Sequence, residues 1–394
     1  MNKFNLAHIS ATALLTAIVT ACGDNSLAPV DKTVSTYESI IDYSSNQEFS
    51  DIAEANDGNL IAGGHIGASP NVNVYLVKFD ENGDTVWTLT IGSDTLQERV
   101  LKIIPSSAGG YTILTAERLL GAHANSPFII QKISESGEVL GQPQIHNDFF
   151  GTSVEHVIQT ADNGYLISGF DRAEFNPAFA FVMKVGADGV RIWKKTFQPG
   201  SMNKTKILSD GSLFMAGRHT IRFIGPTEHK VYITKTSATG DSLFAADISV
   251  MKNSFVFDMI TGADNKCKIL GVTDDNSSNY LFFMDVDTDG AALSARILYS
   301  VNFAVSHGKI TGDGGAIICG LTSAPVGAGF LAKISPAGEV SWINNYQYPQ
   351  SVVVFTRLMI VSGGGYAVTG YYRNTTTFNS TALVIKTDAN GIVK

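Results

Sequence analysis

Three aspartates alternate along one short stretch of the sequence, in the pattern D-x-D-x-D-G. Asp285, Asp287 and Asp289 precede Gly290, and alternating carboxylates of this kind can converge on a hard cation such as Ca²⁺. An EF-hand loop would have a glutamate at its twelfth position, where this chain has Arg296. The sequence therefore favours a solvent-exposed hairpin with aspartates at its turn. A Ca²⁺ site is the alternative, and no other cofactor is predicted.

A second group of residues combines arginine, histidine and aromatic side chains, which commonly anchor contacts with proteins and carbohydrates. The candidates are His65, Arg118, His123, His146, Phe150, Arg172, Phe175, Arg218, His219, Tyr372 and Arg373. They occur in or beside irregular segments that separate hydrophobic runs. The alternative interpretation is a solvated loop surface, in which the arginines pair with local acidic residues such as Glu117, Asp171 and Glu174.

Linear motifs of known catalytic sites are absent from the sequence. The chain contains no G-x-S-x-G nucleophile elbow, no H-E-x-x-H zinc motif, no G-x-x-x-x-G-K phosphate loop and no C-x-x-C pair. Residues that are far apart in the chain can still assemble an active site. The sequence therefore favours a non-catalytic role and leaves enzyme activity undecided.

An internal repeat organises the chain. Its first phrase occurs as DGNLIAGG (57–64), AGGYTILT (108–115), DNGYLISG (162–169), DGSLFMAG (210–217), DNKCKILG (264–271), DGGAIICG (313–320) and GGGYAVTG (363–370). Its second phrase occurs as KFDENG (78–83), KISESG (132–137), KVGADG (184–189), KTSATG (235–240), DVDTDG (285–290), KISPAG (333–338) and KTDANG (386–391). All three tryptophans, Trp87, Trp193 and Trp342, lie four residues after the glycine of the second phrase. A lysine or tryptophan that recurs in this way is predicted to be structural.

Each repeat contains four runs with β-strand character. In the third copy these are HVIQT, GYLISGF, FVMKV and RIWKKTF, which are rich in Val, Ile, Phe, Tyr and Thr. Asp-Gly and Asn-Gly turns join the first run to the second and the third to the fourth. Four-stranded units of about 50 residues are typical of β-propeller blades, whereas solenoids usually have shorter repeats and distinct caps. We therefore predict an all-β fold, a β-propeller of seven four-stranded blades.

The two ends of the repeat array predict how the propeller closes. The seventh copy stops at residues 391–394, where its fourth strand would begin, and residues 34–43 form an extra strand-like run before the first copy. We expect this N-terminal run to complete the last blade, because closure removes open sheet edges. Residues 34–394 are then one domain. Its longer connections, which carry most of the arginine, histidine and aromatic candidates, lie on the face opposite the short turns.

The two phrases resemble the D-G-G-Y-x-x-x-G and K-x-D-x-x-G-x-x-x-W units of β-propeller repeat proteins of Bacteroidetes-type bacteria, many of which are lipoproteins. The resemblance covers residues 34–394 and implies the propeller fold. Its motifs are structural, so it implies no catalytic residues. The fifth copy departs most from the pattern, because Asn265 and Lys266 replace the glycine pair and Asp285 replaces the lysine.

The first 22 residues have the pattern of a secretory signal with a lipidation site. An apolar stretch runs from Leu6 to Val19 and is too short to span a membrane. Residues 19–22 (VTAC) resemble a bacterial lipobox, which implies cleavage before Cys22 and acylation of its thiol. We predict a signal peptide at 1–21, a lipidated Cys22 with its tether at 22–33, and attachment to the bacterial outer membrane through the lipid. An ordinary signal peptide is the alternative.

The net charge limits the classes of binding partner, and the positions of the remaining cysteines bear on disulfide formation. The net charge is −8 and there is no long basic run, which argues against nucleic acid as a partner. Cys267 and Cys319 occupy different repeat positions, which favours two buried free thiols over a disulfide.

The leading hypothesis for the function is a non-catalytic, lipid-anchored envelope protein that binds or scaffolds an envelope protein, a glycan or an extracellular polymer. Two alternatives stay open. One is a carbohydrate-active hydrolase or lyase with its site on the variable loops, and the other is a Ca²⁺-stabilised adhesion module.

Overall fold

The computed structural model describes residues 35–41, 46–68, 71–92, 96–119, 127–146, 153–172, 178–221, 227–262, 266–275, 278–301, 303–322 and 327–393. These ranges contain β-strands and their connections, and no helix. Accordingly, they include no helical segment of the length and hydropathy that crossing a membrane requires. The all-β prediction is confirmed.

The strands are short and follow one another closely. In chain order they are β1 (Tyr37–Ile41), β2 (Gln47–Glu54), β3 (Leu60–Ala68), β4 (Asn71–Phe79), β5 (Thr85–Ile91), β6 (Leu96–Pro105), β7 (Tyr111–Leu119), β8 (Phe128–Ile133), β9 (Val139–His146), β10 (Ser153–Gln159), β11 (Tyr165–Arg172), β12 (Ala178–Val185), β13 (Arg191–Ile207), β14 (Leu213–Ile221), β15 (Glu228–Thr236), β16 (Ser242–Ile248), β17 (Asn253–Thr261), β18 (Lys266–Asp274), β19 (Asn279–Asp287), β20 (Ala292–Val301), β21 (Phe303–Ile310), β22 (Ala316–Thr322), β23 (Gly329–Ile334), β24 (Val340–Tyr346), β25 (Ser351–Ile360), β26 (Tyr366–Asn374) and β27 (Ser380–Thr387).

Successive strands pair in antiparallel groups of four. The groups β2–β5, β6–β9, β17–β20 and β21–β24 are consecutive in the chain. The long strand β13 serves two groups, because its first half pairs with β12 and its second half with β14. The last group takes its fourth strand from the N-terminal segment, since β1 pairs with β27 through the register Ser39↔Val384.

Short turns join the first strand of each group to the second and, except in the last group, the third to the fourth. In the turn after β4, the Asp80 carboxylate accepts hydrogen bonds from the backbone N–H groups of Asn82 and Asp84, each at 2.9 Å. Gly83 adopts φ +87° there, which a residue with a side chain rarely does. The turns of the repeated phrases therefore lie at one edge of every group. We call the opposite side, where the other connections lie, the long-connection face.

Side chains of the outer strands pack on the turn glycine of the next group. The Trp87 ring in β5 adjoins Gly137, and the Trp87 indole donates a hydrogen bond to the Glu135 carbonyl at 2.9 Å. Trp193 adjoins Gly240 and Trp342 adjoins Gly391 in the same way. The aligned tryptophans therefore hold neighbouring groups together.

The recurrent lysine also has a structural partner. Lys78 Nζ is 2.7 Å from the Asp57 carboxylate and 3.2 Å from that of Glu135, and Lys333 Nζ is 2.8 Å from Asp313. The pairs with Asp57 and Asp313 tie the second phrase of a repeat to its own first phrase, and the pair with Glu135 ties it to the next repeat. Cys267 and Cys319 are free and buried, so no disulfide joins them.

Candidate functional site

Several of the predicted site residues lie outside the described residues or are described only in part. Cys22, His123, Phe150 and Phe175 lie outside the described ranges. Arg118 and Arg172 are placed in β7 and β11 by their backbone alone. The remaining candidates form two clusters and one packed histidine.

The first cluster joins the beginning of β2 to the end of β26. Arg373 Nη2 is 2.6 Å from Glu48 Oε1, and the Arg373 guanidinium lies 5.3 Å from the centre of the Tyr371 ring. His65 pairs with Glu48 across β2 and β3; burial lowers the pKa of His65, and the Glu48 carboxylate partly offsets that shift. Tyr372 packs against Tyr348 with ring centres 5.0 Å apart. The charges in this cluster are largely satisfied by one another.

The second cluster lies near the end of β14. His219 Nδ1 is 2.8 Å from Asp247 Oδ2. The Arg218 guanidinium lies 5.8 Å from the centre of the Phe255 ring, and Arg218 Nε is buried without a hydrogen-bond partner among the described residues. Burial lowers the pKa of Arg218, an effect that the nearby Glu155 carboxylate opposes. Arg218 is therefore a partly buried cation that is not fully bonded.

His146 has a packing role at the end of β9. Its ring is buried and stacks on Phe128 with centres 4.5 Å apart. Its Nε2 atom is 3.1 Å from the Gly189 carbonyl. The structure therefore places this side chain between two groups of strands and does not present it to solvent.

The three aspartates of the D-x-D-x-D-G stretch have separate partners. Asp285 Oδ1 is 3.0 Å from Lys268 Nζ. Asp287 Oδ1 accepts hydrogen bonds from the backbone of its own turn, as Asp80 does in the first repeat. Among the described residues, no group of three His, Cys, Asp or Glu side chains could hold a metal ion. The Ca²⁺ site stays a prediction that no contact of these residues supports.

The structure shows a set of charged residues that sequence reasoning missed. Six residues before each copy of the first phrase stands one titratable side chain. These residues are Asp51, Lys102, His156, Lys204, Asp258, His307 and Arg357. Each follows a β-bulge in the first strand of its group, and a bulge redirects the side chains beside it. The constant spacing was readable in the sequence, but the residue type changes from copy to copy and hid the pattern.

The acceptors in this set bind the backbone of the neighbouring group. Asp51 Oδ2 accepts a hydrogen bond from Ile103 N at 2.8 Å, and Asp258 Oδ2 accepts one from Ile310 N at 3.0 Å. His156 Nδ1 lies 3.3 Å from Thr205 N and His307 Nδ1 lies 3.4 Å from Leu358 N, so both rings act as acceptors.

The environment of the two histidines keeps them neutral. Burial lowers the pKa of each ring well below its usual range, and the surrounding lysine and arginine side chains lower it further. Neutral rings are also what the backbone donors require, because a protonated imidazole has no acceptor nitrogen. The geometry and the electrostatics therefore agree.

The cations of the set are less completely paired. Arg357 Nε is 3.1 Å from Asp51 Oδ1, and Lys102 Nζ is 3.6 Å from the same atom. Burial, with the Arg357 charge, lowers the pKa of Lys102 to about 8. Lys204 is buried and has no hydrogen bond or ion pair with any described residue. Burial lowers the pKa of Lys204 well below its usual range, and the charge of Lys309 acts in the same direction.

Three residues of this set, Lys204, His307 and Arg357, line a cavity of about 190 Å³. Its lining comes from the first strands β10, β13, β17, β21 and β25 and includes Glu155, Asn203, Lys204, Phe255, His307 and Arg357. Asn203 is 2% exposed, and both polar atoms of its amide lack a partner among the described residues. Since Phe255 also contacts Arg218, the cavity adjoins the second predicted cluster. The arrangement offers several hydrogen-bond donors and positive charges to a small bound group.

Comparisons with known proteins bear on the fold. No family model matches the chain, and no curated protein sequence matches it. The WD40 domain of Pan2 from Neurospora crassa superimposes with a TM-score of 0.51 at 13% identity, covering 88% of this chain and 91% of that one. A puromycin hydrolase superimposes with a TM-score of 0.52 at 12% identity, covering 85% of this chain and 53% of that one. WD40 domains are β-propellers, so the chain has a β-propeller fold. At these identities the likeness extends to the fold alone.

Proposed function

We propose that this protein is a non-catalytic, lipid-anchored binding module of the bacterial envelope that takes its ligand at the mouth of a central channel. The observation that carries the proposal is the cavity lined by first strands, with the incompletely bonded Arg218 beside it. In a propeller the first strands surround the central axis, so this cavity belongs to the channel. Partly buried arginines next to aromatic rings are common anchors of binding.

The proposal includes a closed ring of seven blades. Ser50 Oγ donates a hydrogen bond to the Val100 carbonyl at 2.6 Å and so joins β2 to β6. Thr356 Oγ1 donates one to the Phe49 carbonyl at 2.8 Å and so joins β25 to β2. Ser50 and Thr356 occupy the same bulge position of their repeats, and Phe49 and Val100 are likewise equivalent. The contact between the last and first groups therefore has the same form as a contact between consecutive groups, which supports closure.

The path of β1 runs from the short-turn side of the last group toward the long-connection face. Tyr37 pairs with Lys386, beside the short turn at 388–391, and Ile41 pairs with Ala382 toward the long-connection face. The N-terminal strand therefore fills the outer position of the last group, as the proposed closure requires.

Co-purification tests this function. The tagged full-length protein is extracted in mild detergent, and mass spectrometry identifies the envelope proteins and glycans that accompany it. We expect a stoichiometric partner with the wild type and with R191A, which removes an arginine from the short-turn side. The R218A variant should lose that partner. A partner that R218A and R191A retain equally, or a wild type that emerges alone, would contradict the proposal.

A further inference from the structure

Buried polar groups without partners gather beside the channel cavity. Ser201 Oγ and the Asn203 amide on β13 and Arg218 Nε on β14 are all buried, and none has a hydrogen-bond partner among the described residues. Native proteins pair most such groups with protein atoms, water or ions, because a buried polar group without a partner loses the hydrogen bonds that it makes with water in the unfolded chain. Three such groups on two adjacent strands mark a place where ordered water or a ligand supplies the missing hydrogen bonds.

The charge of this region has the opposite sign to that of the whole chain. The protein carries a net charge of −8. The charged side chains that act most strongly on His156 and His307 are all basic, namely Lys102, Lys204, Lys206, Lys309 and Arg357. Among the described residues, the acidic groups near these bases are Asp51, Asp258 and Glu155. Positive charge is therefore in excess within the channel.

The polar groups near the cavity also differ in whether their hydrogen-bonding atoms are already used. Asp51 and Asp258 already accept backbone hydrogen bonds and pair with cations. Glu155, the one carboxylate among the described residues that line the cavity, accepts a hydrogen bond from Ser153 Oγ at 2.8 Å. Lys204, the Asn203 amide and Arg218 Nε remain without a hydrogen bond to any described residue, and these groups are predominantly donors. A ligand that fits must supply acceptor oxygens and negative charge.

We propose that the channel cavity binds a small oxyanion group, a carboxylate or a phosphate ester, with Lys204 and the Asn203 amide as its principal contacts. The volume of about 190 Å³ accommodates such a group with part of the molecule that carries it. Charge-assisted hydrogen bonds from Lys204 and the cationic surroundings stabilise the anion. This inference rests on the proposed function in taking the channel as the ligand site, and it names the chemical class of ligand.

Sulfate and malonate are suitable probes, because both remain fully ionised near neutral pH. Isothermal titration calorimetry of the full-length protein in detergent would measure their binding, with chloride at matched ionic strength as the reference. We expect binding of both probes by the wild type and by K195Q, which removes a lysine from the exposed outer part of β13. K204Q should bind at least tenfold more weakly.

A second variant keeps the test decisive should K204Q fold poorly. N203D places a carboxylate of the same shape in the cavity lining, and it should also weaken both probes at least tenfold through charge repulsion. Unchanged affinity in either variant, or no binding to the wild type, would overturn the inference. If no probe binds while R218A still abolishes partner capture, the anion site alone is wrong. If no probe binds and R218A also retains the partner, both the anion site and the proposed function are wrong.

Discussion

At the scale of single residues, two buried lysines of this protein differ in whether their charge has a carboxylate partner. Lys78 is 4% exposed and lies between Asp57 and Glu135, whereas Lys204 is 5% exposed and has no ion pair with any described residue. A buried charge stabilises a fold only when partners offset its desolvation. Substitution by methionine preserves the shape of either side chain and therefore separates the two cases.

We expect K78M to lower the free energy of unfolding by about 1–2 kcal/mol, because two carboxylates lose their partner. K204M should raise it by about 1 kcal/mol in the absence of anions, because a desolvated charge disappears. Urea titration at pH 7 measures both. Equal destabilisation by the two variants would show that Lys204 has a partner in the fold and would contradict this account.

The channel histidines predict how stability depends on pH. The pKa of His307 is lowered well below its usual range by burial and by the charges of Arg357 and Lys204, whereas in the unfolded chain it lies near 6.5. Between these values the unfolded state binds more protons, so stability is complete above about pH 6.5 and falls as the pH decreases.

We expect the wild type to lose stability from pH 7 to pH 5. H307N should lose about 1–2 kcal/mol less over that interval, because asparagine can accept the Leu358 hydrogen bond without titrating. Urea unfolding at the two pH values provides the comparison. H219N serves as the control, since His219 is paired with Asp247 outside the channel. An identical loss in H307N and the wild type would refute the assignment of a neutral, buried His307.

The turns could be predicted from the sequence, whereas the titratable residues beside the bulges were missed, and the difference has one physical reason. The glycines and lysines of the two phrases have the same structural role in most repeats, so the same residue type recurs. Alignment of the repeats therefore reveals them. The residues six positions before the first phrase occupy equivalent places but differ in residue type. Each one has a different set of neighbouring side chains. Arg218 was predicted from its type, but its contact with Phe255 depends on tertiary structure.

At the scale of the elements, the turn glycines serve the contact between adjacent sheets. Gly58 and Gly137 have similar φ angles, +81° and +85°, and both donate a backbone hydrogen bond across a tight turn. A Cβ on Gly58 would have no atom within 4 Å, whereas a Cβ on Gly137 would lie 2.7 Å from the Trp87 ring. The two positions therefore share backbone strain and differ in packing.

We expect G58A to cost about 1 kcal/mol of stability, which is the penalty for a side chain at positive φ. G137A should cost about 1–3 kcal/mol more, because the Trp87 ring must move. Thermal or urea unfolding of both variants gives the difference. Equal costs would mean that the outer-strand tryptophan does not determine how the sheets pack.

At the scale of the whole molecule, two bulge residues of the first strands connect neighbouring groups of strands. Ser50 bonds to the second group and Thr356 bonds back to the first, through equivalent positions. In a closed ring the two bonds contribute alike. We expect S50A and T356V each to lower the free energy of unfolding by about 1 kcal/mol. A T356V variant as stable as the wild type, beside a destabilised S50A, would contradict closure between the last and first groups.

A crystal structure of the protein grown with malonate would test the central claim most directly, since that claim is that the first strands enclose one channel with a site for an oxyanion. We predict a ring in which β1 pairs with β27 and a malonate carboxylate lies within about 3.2 Å of Lys204 Nζ and the Asn203 amide. A channel in which these side chains bond to other protein atoms, with no malonate beside them, would contradict the account.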